Sequence, residues 1–425
     1  MRTRTRGPLI TLGTALVLLT PVAPASAATL PGDLDIGIEI GQDGKFLDIS
    51  LTLGQRRQLV VDLAKEYLVA RDEGWKTPEG PGPAMAAIET EGAEVGEQPA
   101  AFARGPATWA AEAEAEEGLL ATGVDTGFFD GEDVTFDGDT ATVTLTSGTA
   151  LAWNDSTLGE SSLSDTYIVE LVREGRTWTI TEVSYAPVES TAAPTDDAES
   201  EAADDGIGLL AAHSYDRQAA AEYALEWSNF KSDRFGNHVW EARNPDYEDL
   251  GSTNCANFVS QALYAGGWTK NEGVNPKDPE NWDDNLTGWG IGASRTWVNA
   301  NWLYDFTVEH AKRGYWQNMW PPSDPTTGPG SPDFAIWELE PGDLIFTDWD
   351  DDNPDGTMDH TMIVTGSYTD NQGFTEPTYS QNSPNRHNLP LSVGMKMAHV
   401  GMVDDQGEPR TIVYTPVKLY DTFED

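Results

Sequence analysis

One cysteine, Cys255, stands among 425 residues, so no disulfide can form within the chain. Three readings of a lone thiol stay open on composition: an inert buried side chain, a bridge to another chain, or a reactive nucleophile. Histidine is also sparse, at six, and with one cysteine it gives no zinc-ligand spacing. Basic residues are few. Lys and Arg total 25 against 71 Asp and Glu, a formal charge of −46. That balance argues against nucleic acid and anionic lipid as partners, since binding phosphates takes clustered cations that release counterions. After the N-terminus no segment is apolar enough to span a bilayer.

What the N-terminus does have is a leader pattern. In MRTRTRGPLITLGTALVLLTPVAPASAA three arginines precede an apolar run from Pro8 to Val22, with small residues at Ala25 and Ala27. Residues 1–27 therefore read as a cleaved signal peptide, and the mature chain is expected to be secreted, extracellular or cell-wall associated, without membrane contact.

The length exceeds the roughly 250–300 residues at which single cores stop growing, so two folded units are expected. Both read as α+β. In 48–186, Leu59, Leu63 and Tyr67 lie four apart on one helical face. Alternating segments follow at Val134–Thr146, Thr166–Val172 and Trp178–Tyr185, with turns at Asp137-Gly138 and Glu174-Gly175. This small domain has no Cys, no His and no catalytic cluster, so binding, spacing or inhibition of its neighbour is expected of it. The acidic stretch 187–213, poor in aromatics, reads as a flexible linker. Chemistry is expected in 214–425, where Ser214 is placed to cap a first helix and most of the many tryptophans should be core.

In STNCANFVSQALYAGG, Phe258, Val259, Ala262 and Leu263 recur at helical spacing and Gly266-Gly267 ends the pattern. Cys255 thus falls in the first helical turn, where unpaired N–H groups and the helix dipole favour a thiolate and can hold an oxyanion. In LEPGDLIFTDWDDDNPDGTMDHTMIVTG, a turn at Pro341-Gly342-Asp343 leads into a strand, and His360 opens a later one. A histidine there is the base such a thiol requires. In TYSQNSPNRHNLPL, Asn382 ends a third strand and is the candidate partner for the second imidazole nitrogen, with His387 in the turn beyond.

These stretches, with YDRQAAAEYALEWS and NPDYEDLG upstream, resemble the papain-like clan of bacterial cell-wall cysteine hydrolases, the NlpC and CHAP groups, and more closely the secreted "putative amidase domain" family. The resemblance covers roughly Ser214–Thr415. It implies a nucleophile helix packed on an antiparallel sheet, a Cys255–His360–Asn382 triad, and amide bonds of peptidoglycan or peptides as substrate, with no cofactor. This chain has Asn254 and Ala256 where relatives carry Asp and Thr, and Asn382 where many carry His. Tyr247 and Asn254 are candidate oxyanion or substrate contacts, beside the reading of Tyr247 as a core residue. The competing function is a non-catalytic wall-binding or adhesive protein whose amidase domain is degenerate.

Asp348, Asp350, Asp352 and Asp359 match the carboxylate spacing of a calcium loop, but Asn353 occupies the position that needs glycine. A structural calcium and a solvated acidic hairpin both remain open there.

Overall fold

The computed structural model describes residues 37–40, 47–50, 52–78, 80, 93–129, 131–175, 177–186, 212–232, 238–239, 243–273, 275–285, 292–316, 336–349, 355–401 and 412–424. The leader lies outside them, as does nearly all of 187–213. Two compact units divide at Arg56. The first holds an antiparallel pair, β1 (Gly37–Ile40) and β2 (Leu47–Ser50). No described helix is long and apolar enough to cross a membrane.

The second unit, Arg57–Asp425, is α+β. Helix α1 (Leu53–Asp72) runs into it and buries Leu63 and Tyr67 of the expected face, with Leu59 partly buried, and also Val60, Ala64 and Leu68. There follow β3 (Ala93–Val95), α2 (Glu97–Phe102), α3 (Gly105–Glu117), β4 (Ala121–Phe128), β5 (Asp133–Asp137), β6 (Thr140–Trp153), β7 (Glu160–Glu174) and β8 (Thr177–Tyr185). Gly138 (φ 61°) and Gly175 (φ 64°) make the two hairpin turns, which require a left-handed backbone. At the end of α1, Arg71 is fully buried between Asp72 and the hydroxyls of Tyr167 and Tyr185.

From residue 212 the elements are β9 (Ala212–Ser214), α4 (Arg217–Ser228), β10 (Lys231–Ser232), β11 (His238–Val239), α5 (Cys255–Ala265), α6 (Arg295–Val298), α7 (Ala300–Asp305), β12 (Gly314–Trp316), β13 (Leu344–Asp348), β14 (His360–Thr369), β15 (Thr375–Gln381), β16 (Arg386–Pro390), α8 (Leu391–Gly401), β17 (Val413–Leu419) and β18 (Thr422–Glu424). The cap of α4 is Asp216 rather than Ser214: its carboxylate accepts from the Ala219 amide at 3.0 Å. Asp343 of the Pro-Gly-Asp turn binds Arg217 of α4 at 2.6 Å and the Leu419 amide at 2.9 Å, tying β13 to two neighbours.

Twelve described strands form one sheet in the order β12-β17-β13-β14-β15-β16-β7-β6-β4, with β5 on β6 and β8 and β3 beyond β7. The two segments expected as separate domains thus share hydrogen bonds: β7 pairs β8 along its second half and β16 along its first, Arg386 opposite Leu163 and His387 opposite Ser162. His387, read from sequence as a turn residue, is therefore in a strand. The turn is completed before it, at Ser383 and Pro384, and side-chain bonds from Ser161 to the Asn388 carbonyl (2.7 Å) and from Asn388 to the Leu158 carbonyl (2.7 Å) seal the seam.

Away from that seam α3 packs on α8. There Glu117 and Glu376 lie buried side by side, Glu376 accepting from the Ser392 amide (2.7 Å) and hydroxyl (3.0 Å). Lys396 reaches Glu116 at 2.5 Å and Glu117 at 3.8 Å. Burial, then the charge of Glu117, holds the Glu376 carboxyl well above its ordinary range, and burial also raises Glu117. A carboxyl with a raised folded pKa binds protons that the unfolded chain has released, so its penalty grows as pH rises above about 4.5. Glu376→Gln is expected to raise Tm at pH 8 and to leave it unchanged at pH 4. Melting curves at the two pH values check this, and an equal shift at both would refute it.

Candidate active site

Helix α5 starts at Cys255 and is buried along most of its length, packed on β14 with Phe258, Val259, Ala262 and Leu263 turned into the core. Its polar residues are held by tryptophans. Asn257 accepts from the Trp297 indole (2.8 Å) and Ser260 from that of Trp282 (3.1 Å), so these rings are core, as expected.

Asn254 precedes Cys255 and stands in a buried asparagine cluster. Its Nδ2 donates to Asn382 Oδ1 at 3.1 Å, and its Oδ1 accepts from Asn257 Nδ2 at 2.8 Å. The last paired residues of β14 and β15 at this end are Ile363 and Ser380. Two places further on, the register sets Asn382 across from Thr361, beside His360. The Asn254–Asn382 bond therefore pins the first residue of α5 next to the first residues of β14.

His360 opens β14 opposite Thr347 of β13. It is 3% exposed, and its ring lies 5.2 Å from that of Trp349. The loop joining the two strands is braced by its own acids. Asp359 accepts from the Trp349 amide at 2.9 Å and Asp348 from the Gly356 amide at 2.7 Å. Asp350 and Asp352 lie outside the described residues, among which no three Asp, Glu, His or Cys side chains gather as a metal site. Burial pushes the His360 imidazole down to about 4, against a hydrogen bond with Gln381 that favours the proton. At neutral pH the ring is uncharged, and its Nε2 has no hydrogen-bond partner. It can accept a proton.

Alternation along β14 sorts the side chains. Met362 and Val364 join one core with Ile345 of β13, whereas Ile363 joins the α5 core with Leu344, Phe346 and Cys255. His360 shares the face of Met362, and the two line a cavity of about 570 Å³ together with Gln381 and Trp349. His360 thus faces the cavity, while Cys255 packs within the α5 core. Ser252, three residues before Cys255, reaches the cavity rim. Tyr247 stacks on Trp297 at 6.1 Å and is half-buried against the α5 core.

The sequence reading missed three participants. Gln381 lines the cavity beside His360 and favours its protonated form. Trp349 covers the ring. The third is an ion pair between Arg386 of β16 and Asp165 of β7 at 2.8 Å, which lines the cavity from the joined strands. Asp165, an acid among the serines and apolar residues of β7, was the available signal.

A family model described as "Putative amidase domain" matches residues 214–403, the segment that contains α5, β14 and the cavity-lining part of β15. Its coarse reading is a hydrolase-type domain. The chain is 31% identical over 166 residues to "Uncharacterized protein YhbB" of Bacillus subtilis (strain 168), an alignment covering 39% of this chain and 42% of that protein. A solution NMR structure of a de novo β-sheet design protein aligns with 34% of this chain and 99% of its own at 18% identity, but its TM-score of 0.19 carries no fold relationship.

Proposed function

We propose that the 214–403 segment is a cysteine-dependent amidohydrolase of an exported protein, acting on amide bonds of peptides or peptidoglycan. In this reading His360 takes the Cys255 proton, the thiolate attacks the carbonyl, and the amine leaves with that proton. Water then hydrolyses the thioester and releases the acid. The Cys255 amide at the start of α5 is the oxyanion donor. Gln381 orients the imidazole, and Asn382 acts one step removed, by fixing Asn254 and hence the start of the nucleophile helix. The observation that supports the reading is the Asn254–Asn382 bond, which ties the residue before Cys255 to the residue after Gln381, a cavity neighbour of His360, whose Nε2 is unpartnered.

A second reading has its own observation. Cys255 is 1% exposed and belongs to a different core from the one His360 faces. A non-catalytic binding module with a degenerate amidase segment fits that arrangement.

Iodoacetamide labelling across pH 4–9 separates the two. Under the catalytic reading the native thiol labels well below the ~8.5 of a free cysteine, and His360→Ala moves labelling up to that value. The same substitution should slow hydrolysis of stem-peptide amides by about 10²–10⁴-fold, and Cys255→Ala should abolish it. Labelling that needs denaturant, or that ignores His360, favours the binding module.

A further inference from the structure

The cavity gathers soft sulfur. Three of the chain's eight methionines, Met362, Met395 and Met397, line its volume of about 570 Å³ together with His360 and Trp349. Asp165, Arg243, Thr347 and Asn385 also leave buried polar atoms unpartnered along it. Those atoms are donors and acceptors in mixture, which water satisfies and which selects no one organic ligand. The thioethers are selective, because uncharged sulfur prefers a soft metal ion.

The topology brings these side chains toward one end of the cavity. Met362 lies two places along β14 from His360 and on the same face, about 7 Å along the strand. Its neighbour across the ladder is Gln381 of β15, one place beyond the Ile363–Ser380 pair. Helix α8 runs the same way as β15. Ser392 near its start is held by Glu376, and Gly394 sits so close to Tyr379 that a side chain there would collide with the ring. Met395 and Met397 therefore continue toward Gln381 and the head of β14, where His360 stands. The His360 Nε2 is buried without a hydrogen-bond partner among the described residues, and the Trp349 ring lies 5.2 Å from the imidazole. An aromatic face beside the site adds cation–π attraction for a bound ion.

We propose that Met362, Met395, Met397 and the Nε2 of His360 form a binding site for Cu(I), with Trp349 beside it. Neutral thioethers and an imidazole suit a soft monovalent cation. Zinc and calcium call for thiolate, imidazole and carboxylate clusters, and no three Asp, Glu, His or Cys side chains gather among the described residues. Asp165 lines the same cavity, but Arg386 takes its charge at 2.8 Å. The metal enters and leaves as Cu(I), with no electron transferred. The site requires binding and no turnover, so it stands apart from the cysteine mechanism. One consequence does rest on the amidase reading: copper would occupy the imidazole that takes the Cys255 proton, making Cu(I) a reversible inhibitor of that hydrolysis.

The test is transfer of Cu(I), under nitrogen with ascorbate present, from its purple bicinchoninate complex to the full chain carrying Cys255→Ser, which removes the one thiol. Expected is bleaching that stops at one Cu(I) per chain, with no matching uptake of Zn(II) followed by a zinc-sensitive dye. Met362→Leu and Met397→Leu preserve core volume, and each should weaken uptake by about 10-fold or more, as should His360→Gln. Copper X-ray absorption should show sulfur and one imidazole bound to the metal. Replacing all three methionines with leucine should abolish uptake, and should that variant fail to fold, the Met362→Leu, Met397→Leu pair decides. No uptake, Zn(II) bound as tightly as Cu(I), or uptake that survives the multiple leucine variant overturns the site. Because neither hydrolysis nor the thiol is read, none of these outcomes alters the iodoacetamide result, and a failed labelling experiment leaves the copper titration intact.

Discussion

Replacing Arg386 with methionine is expected to cost about 3–5 kcal/mol of stability, the usual penalty for leaving a buried charge without its partner. The Arg386 side chain donates to Asp165 at 2.8 Å and to the carbonyls of Ser164 and Asn385, each at 2.9 Å. Asp165 is 7% exposed, and its second oxygen already has no partner. Without Arg386 both oxygens of a buried carboxylate are orphaned, and a strand seam loses its side-chain clamp. Urea unfolding followed by tryptophan fluorescence measures the loss. The double variant Arg386→Met with Asp165→Leu is expected to recover most of it, since the penalty comes from the stranded charge rather than from the missing attraction. A single-variant cost below about 1 kcal/mol would mean that water reaches Asp165 and that the seam is not sealed.

The second large effect is a loss of stability on acidification. Burial pushes both His360 and His387 down to about 4. In the unfolded chain each takes its proton near 6.5, so as pH falls below that value the unfolded state binds protons that the native state refuses. Stability supplied by the neutral rings is present above about 6.5 and is lost progressively toward 4, on the order of 3 kcal/mol for each ring. Glu117 and Glu376 act in the opposite sense, gaining as pH falls, so the observed slope is a difference. His387→Gln isolates one contributor: it keeps a bond to Ser228, which now meets His387 Nδ1 at 2.9 Å, and removes the titration. Unfolding free energies of the variant at pH 7 and pH 4 should differ less than those of the wild type. An unchanged difference would show that His387 takes up its proton while folded.

The starts of α5 and β14 were legible in the sequence because each is announced locally. Phe258, Val259, Ala262 and Leu263 set a helical period that Gly266-Gly267 ends, and His360 stands at the head of an apolar alternating run. Alternation also says that Gln381 and Asn382 face opposite sides of their strand. It does not say which side meets α5, and so which of the two would line the cavity with His360 could not be read. The strand role of His387 was hidden for a related reason. Ser383, Pro384 and Asn385 are turn residues, and what makes the next residues a strand is pairing with Leu163 and Ser162, more than 200 positions earlier. The cavity shares that origin. Asp165 and Arg386 carry no local mark of each other, and the pocket exists only once their strands are joined.

That joint has a consequence for how the chain can be handled. Because β16 adds to an edge of β7 that β8 leaves open, the polypeptide between Tyr185 and Ala212 is not what holds the two halves in register. Two fragments produced from separate genes, one ending at residue 186 and the other starting at 212, should find each other and rebuild the pocket between them. The protein would then serve as a split reporter whose signal depends on complementation.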